Sequence, residues 1–564
     1  MKKFFLDPND WETIKPYFDE LQTYHLTKEN ADEYLENWSD LITVLDDAFF
    51  DANRSVTENT SDKKAEELFL HLVNDVIPKV ETAEQKLRQK FLELKDYKPS
   101  EENAELIRRW KTKVALFRDQ NVPLFAELSV LANEYDKTIG SMNVTIDGRE
   151  MTLDQANEFQ FSPDRTLRKR SWIEVQKRWL EDRAKLNDLY IKMLSLRRQI
   201  ARNADFQNFR DYIWNYLYRF SYNPDDCMRL HEAIATEIVP FLQKQMQDRC
   251  KKMKIDKVRP WDIDADPLGR PALKPFEKTS ELEDGVQRIF TKIDPTLGRY
   301  FSSMREDFLD LQSRPNKAPG AYCGGYNATG KPYIFANTVG INDDVNTLLH
   351  ESGHAFHFIE SSKQKLVWNK SSLEAVNYEF AEVASMSMEL LGSTYLEKAD
   401  GGFYDKDDAN RARSEQLLGI MMFLPYMSVV DLFQHWVYTE APQEISPADL
   451  DREWGALWAR FMSWQDWSDF EDEKVTGWHR KGHIFSSPFY YIEYGLAQLG
   501  AIQIWRNFMH DKGKTVHDYR FALSLGNTKS LPQLFKSAGI EIIFDRSKLH
   551  ELMEFVQNQF ERFL

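Results

Sequence analysis

The stretch Asn346–Glu360, NTLLHESGHAFHFIE, sets His350, Glu351, His354 and His357 within eight positions of a chain that holds twelve histidines in 564 residues. Residues four apart share one face of a helix, about 5–6 Å between Cβ atoms, so His350 and His354 can turn both imidazoles toward one metal ion. Glu351 lies one residue on, rotated by about 100°. Its carboxylate can therefore reach a water on the ion's open position without ligating the ion. Asn342, Asp343 and Asp344 sit where acids favour a helix start, and Val345, Leu348 and Leu349 supply an apolar face. At the chain's own residue frequencies, two histidines four apart with either acid after the first arise by chance roughly 0.04 times, and H-E-x-x-H less often still. The motif points to catalytic zinc, one ion per chain.

Tetrahedral catalytic zinc takes three protein ligands and a water. His357, three residues beyond His354, is poorly spaced to be the third. Downstream, SSLEAVNYEFAEVASMSMELL (371–391) offers Glu374, Glu379, Glu382 and Glu389 on a second, apolar-striped helix. A carboxylate buried in such a stripe needs a partner, and a cation meets that need. The small residues Ala384 and Ser385 permit two helices to approach closely. Spacing alone leaves Glu379 and Glu382 equal.

With 73 basic against 90 acidic residues the net charge is −17, which argues against nucleic acid or an anionic membrane as partner. The three cysteines, Cys227, Cys250 and Cys323, are widely spaced and form no CxxC pair. They fit a reducing compartment. No run approaches 18 uninterrupted apolar residues, and MKKFFLDPND is too short for a signal core. These features predict a cytoplasmic protein with no membrane span.

From about Asp10 to Asp136 apolar residues recur at helical steps. NVTIDGREMTL alternates around Asp147–Gly148, a type I′ hairpin signal. Ser162–Pro163–Asp164 predicts an N-cap with proline at the first helical position, opening one long helix through about Ala201. A second helical block starts near Asn223, and KVRPWDIDADPLGRPALKP reads as an irregular connection. APGAYCGGYNATGKPYIFANTV (318–339) predicts one or two short strands with a glycine-rich loop. The fold class is mostly α, with a small sheet just ahead of the histidine cluster. Two domains are expected: residues 1–205, helical, and 206–564, catalytic, with the sheet near 318–340.

LLHESGHAFH followed by EFAEVASMSMEL resembles the M3 family of zinc oligopeptidases, in particular the oligoendopeptidase F and Pz-peptidase branch, related to thimet oligopeptidase and neurolysin. The resemblance runs from about Met142 to the C-terminus. It implies that the F-x-E-x-x-S glutamate, here Glu382 in FAEVAS, is the third zinc ligand beside His350 and His354, with Glu379 a candidate to orient a ligand imidazole. It also implies a neurolysin-like helical fold with a deep substrate channel, and a zinc metalloendopeptidase that cuts oligopeptides internally. In that picture YIFANTV is the edge strand that pairs with the peptide and GAYCGGYN is a loop over the cleft.

Peptide hydrolysis also needs donors for the oxyanion. GWHRKGHIFSSPFYYIEYGLAQLG (477–500) carries His483 in a glycine-containing loop, then a helix predicted from Ser487–Pro488 with Tyr490 and Tyr494 four apart and Tyr491 in reserve. The resemblance implies catalytic roles for His483, Tyr490 and Tyr494 beside Glu351. Trp454, Trp458, Trp464, Trp467 and Trp478 read as packing, His479 has no role, and His435 in LFQHWVY reads as an interior histidine with its nitrogens satisfied. Cys323 reads as a small buried side chain. Two rival functions have the same outline: a zinc metallocarboxypeptidase using the same H-E-x-x-H chemistry, and a non-catalytic helical peptide-binding protein.

Overall fold

The structure, a computed structural model, describes residues 4–371 and 377–564. The first expected helices form as Trp11–Thr23, Ala31–Glu58 (α1) and a succession reaching Gly140. The hairpin follows, β1 (Asn143–Ile146) antiparallel to β2 (Arg149–Thr152). Its turn residues Asp147 and Gly148 both take positive φ, 53° and 76°, as a type I′ turn requires. The single helix expected after Ser162 is in fact two, Arg165–Glu181 and Arg183–Asn203. The N-cap is Asp164, whose carboxylate accepts from Thr166 N at 2.8 Å, because it reaches the free N–H groups that Ser162 lies too far back to reach. Asn223 caps α2 (Pro224–Glu237) through a reciprocal box with Asp226.

The small sheet has three strands, one more than the sequence indicated: β3 (Leu309–Gln312), β4 (Tyr322–Tyr326) and β5 (Lys331–Thr338), in the order β3-β5-β4. β5 runs parallel to β3 and antiparallel to β4. YIFANTV is thus mostly the central strand, with both its edges paired. The segment expected as a loop, GAYCGGYN, holds the edge strand β4. Its glycines are packing positions: a Cβ on Gly324 would stand 2.2 Å from the Phe50 ring of α1, and one on Gly325 would meet Phe358 at 2.8 Å.

Helices dominate the rest: α3 (Asn342–Ser361), α4 (Tyr378–Ser393), α5 (Lys406–Thr439) and α6 (Tyr491–His510). α5 is long and apolar enough by composition to cross a bilayer, but 61% of its most apolar window is buried inside the protein. An interior helix needs no polar face.

The chain divides into two compact units, each drawn from separate stretches. The first comprises Met1–Leu116, Lys274–Asn410 and Ala497–Ile542; the second comprises Phe117–Leu273, Arg411–Leu496 and Ile543–Leu564. The linear boundary expected at 205/206 does not coincide with these breaks, since helices here pack against partners remote in sequence. In the first unit the indoles of Trp38, Trp110 and Trp368 meet with centroids 4.8–5.1 Å apart. The buried Arg109 guanidinium donates to the carbonyls of Trp368 and Asn527 beside them. In the second, Trp172, Trp261 and Trp467 form a buried cluster joined by Trp458 and Phe470, the packing role expected of Trp458 and Trp467.

α3 and α4 cross within the first unit at unusually short range. A Cβ on Gly353 would lie 2.5 Å from both Ala384 O and Ser385 Cα, and Leu349 fills the space over Gly392. Both obstacles at Gly353 are backbone, which cannot rotate away. Gly353→Ala should therefore destabilise the protein by about 1–3 kcal/mol through overpacking, despite the better helix propensity of alanine. A urea-unfolding midpoint equal to that of the parent would contradict this contact.

Candidate active site

The crossing decides what α3 and α4 present to one another. Asp344 fixes the start of α3: its Oδ2 accepts from the backbone N–H groups of Val339, Gly340 and Ile341 at 2.9, 2.7 and 3.0 Å. Two turns on, His350 and His354 project from one face, ring centroids 4.9 Å apart and planes 82° to each other. From α4, Glu382 Oε2 comes within 3.4 Å of His350 Nε2 and 3.6 Å of His354 Nε2. Among the described residues, these three form one of two groups whose donor atoms all lie within 4.8 Å of one another.

Those separations exceed hydrogen-bond length and match a tetrahedral edge. Donors each about 2.0–2.2 Å from one ion stand about 3.3–3.6 Å apart. Two imidazole nitrogens and one carboxylate oxygen are also the donor chemistry that zinc accepts. The residues fit the ion. The tie between Glu379 and Glu382 is resolved in space: Glu382 joins the donor set, while Glu379, also buried, does not. Glu374 lies outside the described residues. His357 stays apart from the set, buried edge-on against Phe380, and burial pushes it down to about 4.

A second layer holds the donors. Ser385 Oγ donates to Glu382 Oε2 at 3.0 Å, and Glu389 Oε1 lies 2.7 Å from His350 Nδ1. That contact holds a proton on Nδ1 and turns Nε2 toward Glu382 and His354, where its lone pair becomes available once Nε2 releases its own proton. Glu389, which the sequence reading left without a role, is the acid that meets His350. It sits seven residues beyond Glu382, two turns along the same face, which is the sequence signal that could have found it.

The electrostatics follow from putting so many ionisable groups out of water. Burial works against the His350 cation, but the hydrogen bond and charge of Glu389 outweigh it and hold the imidazole up at about 9. His354 is pushed well down by burial and by His350. Glu351 is buried, and burial raises its carboxyl to about 7; Glu382 and Glu389 add to the shift and His350 opposes it. The Cys323 thiol, on β4, is pushed up by burial and by the charge of Glu351.

In the second unit His483, Tyr490, Tyr491 and Tyr494 lie together. The His483 ring lies 5.8, 5.1 and 6.0 Å from those of Tyr490, Tyr491 and Tyr494. Two details differ from expectation. His483 sits in a short helical turn, Gly482–Ser486, and α6 begins only at Tyr491. Phe489 takes φ 65°, a left-handed backbone costing about 1–2 kcal/mol for a residue with a Cβ. This turns Tyr490 out of the helix. The strain is held by Gln434 Oε1, which accepts from Phe489 N at 2.8 Å, and by the buried Arg219, which donates to the Phe489 carbonyl and to Glu493. Tyr491 is buried, with Lys481 donating to its hydroxyl; Tyr490 and Tyr494 are half-buried.

A family model, Peptidase family M3, matches residues 159–554. The chain belongs to peptidase family M3. This M3 chain is 22% identical to an oligoendopeptidase F homolog of Borreliella burgdorferi, over 92% of this chain and 88% of that one. It is also 22% identical to oligopeptidase PepF of Bacillus subtilis, over 83% and 69%. Among solved structures, Pz peptidase A with an inhibitor superposes with TM-score 0.88 at 24% identity, covering 99% of both chains. The M3 fold and the peptidase assignment therefore stand together.

Two measurements test this geometry. Glu389→Ala should weaken metal affinity about 10–100-fold, read by competition with a chromophoric chelator; unchanged affinity would remove Glu389 from the site. His479 and His483 are pushed down to about 3 and about 4 by burial, each with a neighbouring cation adding. Unfolding lets both return toward 6.5 and take up protons. Stability from this source is complete above about pH 6.5 and lost as pH falls toward 4. His479→Gln should flatten the fall in urea midpoint across that window.

Proposed function

We propose that this M3 peptidase is a zinc-dependent metalloendopeptidase hydrolysing internal peptide bonds of short oligopeptides. One observation carries the reading: His350 Nε2, His354 Nε2 and Glu382 Oε2 converge at separations suited to one tetrahedral ion, with Glu351 next in sequence to a donor yet outside the set. The similarity to an oligoendopeptidase F homolog and to oligopeptidase PepF supports the substrate class.

His350, His354 and Glu382 would hold the ion, with Glu389 fixing the His350 tautomer and Ser385 the Glu382 carboxylate. Bound there, zinc supplies Lewis acidity that polarises a carbonyl and makes a water more acidic near neutral pH. Glu351 accepts a proton from the attacking water at its carboxylate and passes it to the departing amine nitrogen, returning to its starting state as the C–N bond breaks. Tyr490, Tyr494 and His483 serve as oxyanion donors. Burial keeps the His483 imidazole neutral at physiological pH, so it donates through N–H. As the edge strand beside Glu351, β4 rather than β5 suits pairing with an extended peptide. None of the three cysteines is in a disulfide, compatible with the cytoplasmic placement expected from their spacing.

Glu351→Gln should keep one zinc per chain at the site and lose turnover; a variant that hydrolysed peptides normally would remove Glu351 from its role. Glu382→Ala should lose the ion. Tyr490→Phe and Tyr494→Phe should each lower kcat by up to about 10²–10³-fold if they hold the oxyanion. Mass spectra of a cleaved nonapeptide should contain internal fragments. Stepwise loss of single C-terminal residues would favour a carboxypeptidase instead.

A further inference from the structure

The second unit contains another group of donors that peptidase chemistry does not use. α2 presents Cys227 and His231, four residues apart; α5 presents Asp431 and His435, also four apart. One donor atom each from Cys227, Asp431 and His435 lies within 4.8 Å of the others. All four side chains are buried, with 0% exposure at Cys227 and Asp431, 1% at His231 and 3% at His435.

The hydrogen bonds do not close this cluster. His231 is held from both sides, by Ser428 Oγ at 3.0 Å on Nδ1 and by Asp431 Oδ2 at 2.8 Å on Nε2. Asp431 Oδ1 has no hydrogen-bond partner, and neither has either ring nitrogen of His435. His435 Nε2 approaches Asp431 Oδ2 at 3.2 Å outside hydrogen-bonding geometry. His435 is the interior histidine that the sequence suggests, ion-paired to Asp431, but its ring nitrogens make no hydrogen bond of regular geometry. Buried polar groups left without partners are disfavoured and call for a ligand.

We propose that Cys227 Sγ, Asp431 Oδ1 and His435 bind a second divalent ion of the zinc class, clamping α2 to α5. A thiolate and a carboxylate neutralise a divalent charge, so the filled site carries no net charge into the interior. The thiol proton leaves to solvent on binding. His231 steadies the carboxylate through Oδ2, as orienting groups do around zinc. The sulfur donor favours zinc over magnesium or calcium, and it separates this site spectroscopically from the His350, His354 and Glu382 set, which has none.

The test strips the full-length protein with chelator, reloads it with Co2+ and removes excess metal by gel filtration. The wild type should hold two equivalents per chain and show a near-ultraviolet thiolate-to-cobalt charge-transfer band. Cys227→Ser should lose the band and one equivalent while retaining peptidase activity. Should that variant fail to fold, the His350→Ala/His354→Ala double variant should still bind one equivalent with the band intact. A wild type holding one equivalent without the band, or a band that survives in Cys227→Ser, overturns the proposal, as does a double variant that binds none.

Discussion

The approach of α3 to α4 at Gly353 is the constraint on which the convergence of His350, His354 and Glu382 depends. A glycine inside a helix costs about 1 kcal/mol relative to alanine. Here it lets the backbone of Ala384 and Ser385 stand where a side chain would otherwise be. Leu349 packs over Gly392 further along the same interface. With the axes that close, Glu382 reaches both imidazoles without extending into solvent. Glu389, two turns further, reaches the far nitrogen of His350.

That proximity creates an electrostatic problem that a cation resolves. Three glutamates and two histidines share one partly desolvated region; burial, with like charges adding, raises the Glu351 carboxyl, while Glu389 holds His350 toward its charged form. Removing any one partner would leave a charge poorly compensated in low dielectric. The hydrogen bonds from Ser385 to Glu382 and from His350 to Glu389 restrain those two side chains within the group.

The second unit shows strain and incompletely paired groups placed with equal economy. Phe489 holds a left-handed backbone under an arginine and a glutamine, and its consequence is the position of Tyr490. Asp431 bridges toward His231 and His435 from the C-terminal half of α5. Neither feature has a local sequence signature, because each depends on which partner helix faces the residue.

Periodicity and turn chemistry in the sequence sufficed for what is local: helical repeats, the Asp147–Gly148 turn, the Asn223 cap and the i,i+4 pair of His350 and His354 with Glu351 between. These depend on backbone geometry within a few residues, so their spacing is their structure. Tertiary structure decided the rest. It made YCGGY an edge strand rather than a loop, since the space over its glycines is taken by Phe50 and Phe358. It brought in β3 from outside the expected sheet, chose Glu382 over Glu379, and put Glu389 behind His350. It also divided the chain into interleaved units that no linear boundary describes. Each of these outcomes turns on distances between segments far apart in the chain, and side-chain order along one segment does not encode how closely another will pack against it.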